Sequence, residues 1–130
     1  MNKRTLLSLT FLFISISLLF AQELPEGLLG AFRKGNADEL SNYMSEKVCL
    51  MINDRQEETD KQKATVVMRA FFSENKVSGF NMNHQGKRND SSFFIGTLIT
   101  NNGKYRINCF FKKTINKYLI HQIRIDKTNG

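Results

Sequence analysis

The sequence predicts an α+β domain in which helices pack on a curved, mainly antiparallel sheet, in the order α-α-β-α-β-β-β-β. In the first half of the chain apolar residues recur at helical spacing, and from Val77 onward they alternate with polar residues at a period of two. Turn-forming residues, above all the Asn102-Gly103 pair, divide the second half into four long strands. We therefore expect one small domain over residues 22–130.

Residues 1–21 have the pattern of a secretory signal peptide. Lys3 and Arg4 form a basic start, an apolar run follows over 6–20, and Ala21 offers a small residue for cleavage. A bilayer-spanning helix needs about 20 predominantly apolar residues, and this run is shorter and contains serine and threonine. We expect cleavage after this segment, export to the periplasm or the cell exterior, and no membrane span in the mature chain.

Two short helices are expected at the start of the mature domain. Pro25 at the first helical position and Gly35 as a C-terminal stop predict a helix over 25–34. Asn36 is a suitable cap for a second helix that ends near Ser45, with acidic residues in its first turn, where the helix dipole favours negative charge.

A strand and the longest helix follow. Residues 48–52 are apolar throughout, as in a short strand buried on both faces, and the polar segment 53–58 ends it. Thr59 and Gln62 fit a capping box at the start of a helix over 60–74, whose apolar residues recur at helical spacing.

Four strands are expected over 77–85, 91–100, 104–113 and 118–126. In the last three strands the odd-numbered positions are the more apolar set, so they are expected to face the helices. This set comprises Phe93, Ile95, Ile99, Tyr105, Ile107, Cys109, Phe111, Leu119, Ile123 and Ile125.

Apolar residues at even-numbered positions of these strands lie beside polar and basic ones. A contiguous apolar patch on an outer sheet face is typical of a partner surface, and here it indicates a homodimer. The alternative is that these side chains are scattered singly or covered by long basic side chains. The residues are Phe94, Leu98, Phe110 and Ile120 beside Arg106, Lys112, Gln122 and Arg124.

The charge is unevenly distributed along the chain. Without residues 1–21, 17 basic and 12 acidic side chains give a net charge of +5. Residues 22–75 carry 7 basic and 10 acidic side chains, a balance of −3, whereas residues 76–130 carry 10 and 2, a balance of +8. The basic half favours an acidic glycan, a lipid headgroup or a small anion, and an exported protein is not expected to meet nucleic acid. The alternative is that these basic side chains are simply solvated.

Five segments resemble a family of small exported proteins of Gram-negative bacteria that has no assigned activity. The order of elements resembles the nuclear transport factor 2-like superfamily, which has a cystatin-like cone fold. The resemblance implies a sheet that wraps the long helix and a pocket at the open end of the cone. Because that superfamily includes both enzymes and binding modules, the fold alone does not decide the activity. The segments are GNADEL (35–40), VCLMI (48–52), TDKQKATVVMRAFF (59–72), FFIGTLIT (93–100) and GKYRI (103–107).

Within such a cone we expect a non-catalytic site for a small or acidic ligand, unless the protein is a homodimeric interaction module. The expected apolar lining is Phe80, Met82, Phe93 and Ile107, and the expected polar contacts are His84, Tyr105 and His121. The alternative is a small hydrolase or isomerase in which His84 or His121 acts as general base. No cofactor is expected.

The two cysteines, Cys49 and Cys109, allow one intramolecular disulfide in an oxidising compartment. The resemblance implies that the first strand lies beside the last one, with Cys109 a strand further away, so two free thiols are the favoured prediction. Together with His84 and His121 these residues lack the short paired spacings of zinc ligands, and no metal site is predicted.

Overall fold

The computed structural model describes residues 24–115 and 117–128. The signal peptide proposed for residues 1–21 lies outside the described residues. The helices are α1 (Glu26–Lys34), α2 (Ala37–Ser41) and α3 (Lys61–Glu74). The strands are β1 (Met44–Ile52), β2 (Arg55–Asp60), β3 (Val77–Arg88), β4 (Ser91–Thr100), β5 (Gly103–Thr114) and β6 (Lys117–Lys127). The predicted order is confirmed, with β2 as one additional strand.

The six strands form one sheet in the order β2-β1-β6-β5-β4-β3. Strand β1 runs parallel to β6, and the other four pairs are antiparallel. The predicted mainly antiparallel sheet is therefore confirmed, and so is the position of the first strand beside the last one. The helices cover one face of this sheet, which we call the inner face, and the opposite face is the outer sheet face.

Local signals set the end of α1 and the start of α2 as predicted. Gly35 adopts a left-handed conformation with φ of 63°, and its N–H donates to the carbonyl of Phe32. The side chain of Asn36 accepts a hydrogen bond of 3.1 Å from the N–H of Glu39, which caps α2. Both ends depend on residues close in sequence, which is why the pattern alone predicts them.

The other two ends of these helices differ from the prediction. Helix α2 ends at Ser41 rather than near Ser45, because β1 already begins at Met44. Pro25 is the N-cap of α1 rather than its first residue.

Aromatic rings fill the space between the inner face and the helices. Phe32 of α1 stacks on Phe80 with 5.3 Å between ring centroids, and Phe94 meets both rings edge-on. Phe94 also packs beside Phe111 of the next strand. Gly96 makes room for this cluster, because a Cβ at that position would collide with the ring of Phe80.

The capping box predicted at the start of the long helix is wrong. Thr59 belongs to β2, and its hydroxyl donates 2.9 Å to the carbonyl oxygen of Val48 across the strand pair. Asp60 is the cap instead, accepting 2.7 Å from the N–H of Lys63. The segment 53–58, expected to be only a loop, turns back and pairs with β1, because backbone groups beside an open strand edge gain hydrogen bonds by doing so.

The predicted facing of β4 is also wrong. Phe94 and Leu98 are fully buried on the inner face, whereas Phe93, Ile95 and Ile99 lie on the outer face. Nearly every position of β4 is apolar, so alternation does not identify the buried side. The turn decides it: Thr100 pairs with Gly103 across the two residues 101–102, and this pairing places even positions of β4 beside odd positions of β5.

A β-bulge changes the facing within β6. Ile107 pairs with Ile125, but beyond the bulge Phe111 pairs with Ile120 rather than with an odd-numbered residue. Ile120 is therefore buried and Leu119 points to the outer face, the reverse of the prediction. The predictions that Tyr105, Ile107, Cys109 and Phe111 of β5 and Ile123 and Ile125 of β6 face inward are confirmed.

Candidate functional site

The residues predicted to line a pocket in the cone do not lie around one cavity among the described residues. Phe80, Tyr105 and Ile107 are 6%, 5% and 0% exposed, because they are part of the packed core. His84 and Phe93 are on the outer sheet face, where their rings are 5.7 Å apart. Met82 is 39% exposed and precedes a bulge in β3 that shifts the register between it and His84. Side chains thus occupy the space in which the pocket was expected.

The hydroxyl of Tyr105 has a structural partner. It donates 3.0 Å to the side-chain oxygen of Asn75, which also accepts 2.9 Å from the amide of Asn102. Asn75 in turn donates 3.0 Å to the carbonyl of Phe71 in α3. This buried network joins the end of α3 to the β4–β5 turn, so the role of the Tyr105 hydroxyl in this structure is to hold elements together.

Cys49 and His121 line one open cavity of about 520 Å³ at the junction of β1, β2 and β6. His121 is the extra residue of the β6 bulge, opposite the segment of β1 where the register between these two strands shifts. Its buried Nε2 has no hydrogen-bond partner, so the two side chains do not form a hydrogen-bonded thiol–imidazole pair. The positions of these two residues in the sequence do not indicate that they are neighbours in space.

Burial lowers the pKa of His121, and the nearby charge of Lys112 lowers it further. Neutral imidazole is therefore the favoured form of His121 at neutral pH. The charged groups around the same cavity are Lys47, Glu58, Asp60 and Lys63.

Both cysteines are free thiols and point to opposite faces of the sheet. Cys49 is half-buried on the outer face, whereas Cys109 is fully buried on the inner face. Strand β6 separates the two, because Cys49 pairs with Gln122 and Cys109 pairs with Ile123. Burial raises the pKa of the Cys109 thiol well above its ordinary value, so this thiol stays protonated.

A second open cavity, of about 680 Å³, lies beside the β1–β2 turn. Leu50, Ile52 and Val67 form its apolar wall, and Asp54 and Arg55 are among its charged residues. Asp54 itself has a φ of 70°, a left-handed conformation typical of a tight turn.

An apolar zone lies at the centre of the outer sheet face. Phe93 and Phe110 are direct cross-strand partners whose rings are 6.1 Å apart, and Phe110 is 42% exposed. Ile95 lies one pair further along β4, and strand pairing places Met51 and Leu119 on the same face. The sequence predicted a patch on this face and correctly included Phe110, but Phe94 and Leu98 of β4 and Ile120 of β6 face inward instead.

Charges surround the apolar zone and differ from one side of the sheet to the other. Strands β3 and β5 place basic side chains on the outer face, β1 places Lys47 there, and β2 places two acidic ones there. On β6, Arg124 is paired with Asp126 at 2.8 Å. The basic residues are Arg88, Lys104, Arg106 and Lys112, and the acidic residues of β2 are Glu58 and Asp60.

Within the described ranges, no group of three or more His, Cys, Asp or Glu side chains is arranged to hold a metal ion. The same part of the chain contains no helix with the length and apolar character needed to cross a bilayer.

The fold has counterparts among solved structures. A variant of the designed protein Rd1NTF2_05 superimposes with a TM-score of 0.65 at 18% identity, covering 82% of this chain and 96% of that one. At this identity the likeness concerns the fold alone, which is nuclear transport factor 2-like. The predicted fold class is confirmed.

Two more similar structures identify the family. A protein of Bacteroides ovatus is 60% identical with a TM-score of 0.82, covering 84% of this chain and 99% of that one. A protein of Bacteroides fragilis is 61% identical with a TM-score of 0.79, covering 82% and 100%. Residues 26–126 match the family described as a domain of unknown function, DUF4783, and the chain belongs to this family. No curated protein matches the chain in the comparison with such proteins.

Proposed function

We propose that this protein is an exported, non-catalytic interaction module that forms a homodimer through the outer sheet face. The observation that supports the proposal is the half-exposed apolar zone of Phe93, Ile95 and Phe110, on a sheet whose other face is already filled by the protein's own helices. Contiguous apolar surface of this kind is costly to leave in water, and a partner that covers it lowers the free energy.

The dimensions of the face suit a second protein surface better than a small ligand. Strands about 4.8 Å apart, with a rise of about 3.3 Å per residue, give six strands of about ten residues an area of roughly 950 Å². Each partner in a stable interface contributes about 600 to 1,000 Å². Small ligands prefer concave sites that enclose most of their surface.

Phe110 is the residue to change, because it lies at the centre of the face and is exposed enough for its replacement to leave the fold intact. We expect sedimentation equilibrium to give a dimer for the wild type and a dimer dissociation constant at least about 100-fold weaker for Phe110→Asp. Val66→Asp is the matched control, since Val66 is a 58% exposed apolar residue of α3, away from the sheet. A monomeric wild type, or equal weakening by both variants, would contradict the proposal.

A second candidate function is binding of an acidic ligand, and the basic residues of the outer face favour it. Arg106 and Lys112 project from β5 on the face that also carries Arg88 of β3. With heparin as the probe, we expect binding at low salt that weakens steeply as salt is added. No binding at low salt, or binding unchanged at high salt, would exclude this candidate.

The hydrolase or isomerase alternative has less support. Among the described residues neither His84 nor His121 has a hydrogen bond to a carboxylate, hydroxyl or thiol. A general base is normally oriented by such a partner.

A further inference from the structure

We infer that the tip of the β5–β6 hairpin docks on a membrane surface rich in anionic lipid, with Ile115 inserted between the headgroups. The tip lies at the end of the strands, beyond the apolar zone of the outer sheet face. The inference therefore goes beyond the proposed function and does not depend on the homodimer.

Ile115 is the most exposed large apolar side chain in the part of the chain that the structure describes, at 94%. It directly follows the last residue pair of the hairpin, Thr114 with Lys117. Its φ is 50°, in the left-handed region, where a β-branched residue is strained and hairpin turns normally carry Asn, Asp or Gly. Neither its exposure nor its backbone conformation stabilises the isolated protein, so this side chain indicates contact with an apolar partner.

Basic side chains surround Ile115. The ends of the β3–β4 and β5–β6 hairpins, residues 86–91 and 112–118, contain five basic residues and one acidic residue, Asp90, which give a net charge of +4. Among the described residues, the three lysines of the β5–β6 hairpin are exposed and make no ion pair. The five basic residues are Lys87, Arg88, Lys112, Lys113 and Lys117.

Two contacts hold the ends of these hairpins together. The N–H of Lys113 donates 2.9 Å to the carbonyl oxygen of Asp90, and the Nζ of Lys87 lies 5.7 Å from the centre of the Tyr118 ring. Because Asp90 lies beside Lys113, the β5–β6 hairpin extends about two residues further, or roughly 7 Å. Ile115 is thus at the outermost point of the tip, and the cations lie behind it.

This order of chemical groups matches the surface of a bilayer, where a layer of phosphates lies over hydrocarbon. Flexible lysine side chains can remain at the level of the phosphates while Ile115 enters the layer below. Each cation near an anionic membrane adds to the attraction. An acidic glycan would attract the same cations, but it has no apolar layer for Ile115, so the structure favours the bilayer.

The test is cosedimentation with vesicles that contain equal amounts of phosphatidylglycerol and phosphatidylcholine. Residues 22–130 are used, because the apolar run over 6–20 would bind a bilayer by itself. The relative from Bacteroides ovatus matches 84% of this chain with 99% of its own length, so a domain of about this size folds by itself. We expect binding at least about 10-fold stronger than to phosphatidylcholine alone, weakening steeply as salt is added.

Ile115→Asn tests the apolar contact. Asparagine suits the left-handed turn, so we expect a Tm no lower than that of the wild type, together with vesicle binding about 10-fold weaker. Val66→Asn is the matched control, since Val66 is a 58% exposed apolar residue of α3, and its vesicle binding should equal that of the wild type.

Lys117→Gln tests the cations. Loss of one positive charge at the tip should weaken vesicle binding about 5-fold. Lys104→Gln is the matched control, because Lys104 is an exposed lysine at the opposite end of β5, and it should change binding less than about twofold.

Three results would overturn the inference. The first is equal binding to both kinds of vesicle, and the second is no binding to either. The third is weaker binding by Lys117→Gln with unchanged binding by Ile115→Asn, because the cations would then act without insertion, as at a site for an acidic glycan. Sedimentation equilibrium tests the homodimer separately, so the failure of one proposal is distinguishable from the failure of the other.

Discussion

His121 is the residue whose environment depends most on the tertiary structure, because it is the extra residue of a bulge and its Nε2 is buried without a partner. Its pKa is lowered from 6.5 by burial and then by Lys112. Between the two pKa values, His121 is therefore protonated in the unfolded chain and neutral in the folded chain. Stability is retained above pH 6.5 and is lost as the pH falls from that value towards the folded pKa.

We predict that His121→Gln reduces this acid-side loss of stability. The measurement is urea unfolding at about pH 8 and about pH 5, compared with the wild type. Lys112→Gln removes only the smaller cause of the shift and should reduce the loss to a lesser extent. A wild-type free energy of unfolding with the same pH dependence as that of His121→Gln would contradict the prediction.

At the scale of an element, Asp60 is both the last residue of β2 and the N-cap of α3. Removing its carboxylate in Asp60→Ala leaves the N–H of Lys63 without its 2.7 Å acceptor. We predict a loss of about 1 kcal/mol in the free energy of unfolding, and a smaller loss for Asp60→Asn, which keeps an acceptor. Urea unfolding in the Phe110→Asp background excludes a contribution from dimerisation. Equal losses for the two variants would show that the cap is not responsible.

For the whole molecule, dimerisation couples stability to concentration. Dimerisation removes folded monomers and so shifts the unfolding equilibrium towards the folded state. The Tm should therefore rise with protein concentration. For a domain of this size, we predict a rise of about 5 °C for a 100-fold increase in concentration. Differential scanning calorimetry measures it, and Phe110→Asp should remove the dependence while Val66→Asp retains it. A wild-type Tm that does not change with concentration would contradict the prediction.

Helix ends and turns that are set by interactions between residues close in the sequence could be predicted. Gly35 ends α1 and Asn36 begins α2 through hydrogen bonds to residues three or four positions away. The β4–β5 hairpin was also predicted, although its turn residues are 101–102, one position before the expected pair. In each case, the interaction that defines the element lies within a short stretch of the sequence.

The facing of β4 is partly encoded in the sequence, although not in the strand itself. An unbroken apolar strand such as this one does not mark its buried side by alternation. A two-residue turn nevertheless forces Phe94 beside Cys109 and Leu98 beside Tyr105. Together with the clear alternation of β5, this turn specifies which residues of β4 face inward.

The candidate site was less predictable, because it depends on long-range pairing. Cys49 and His121 line one cavity only because β1 runs parallel to β6, with the β6 bulge at the point where their register changes. The residues predicted to line a pocket are dispersed in the structure for a related reason. The aromatic side chains that fill the inner face, Phe32 above all, come from elements distant in sequence.

The sequence by itself determined the order of the elements, the mainly antiparallel sheet and the basic character of the second half, because hydrophobic period, turn residues and charge are local properties. Only the tertiary structure decided which residues of β6 face outward beyond its bulge, and that the inner face is packed full. Those outcomes depend on strand register, on bulges and on volume shared between distant segments. An apolar zone between acidic and basic edge strands exists only once the sheet has formed.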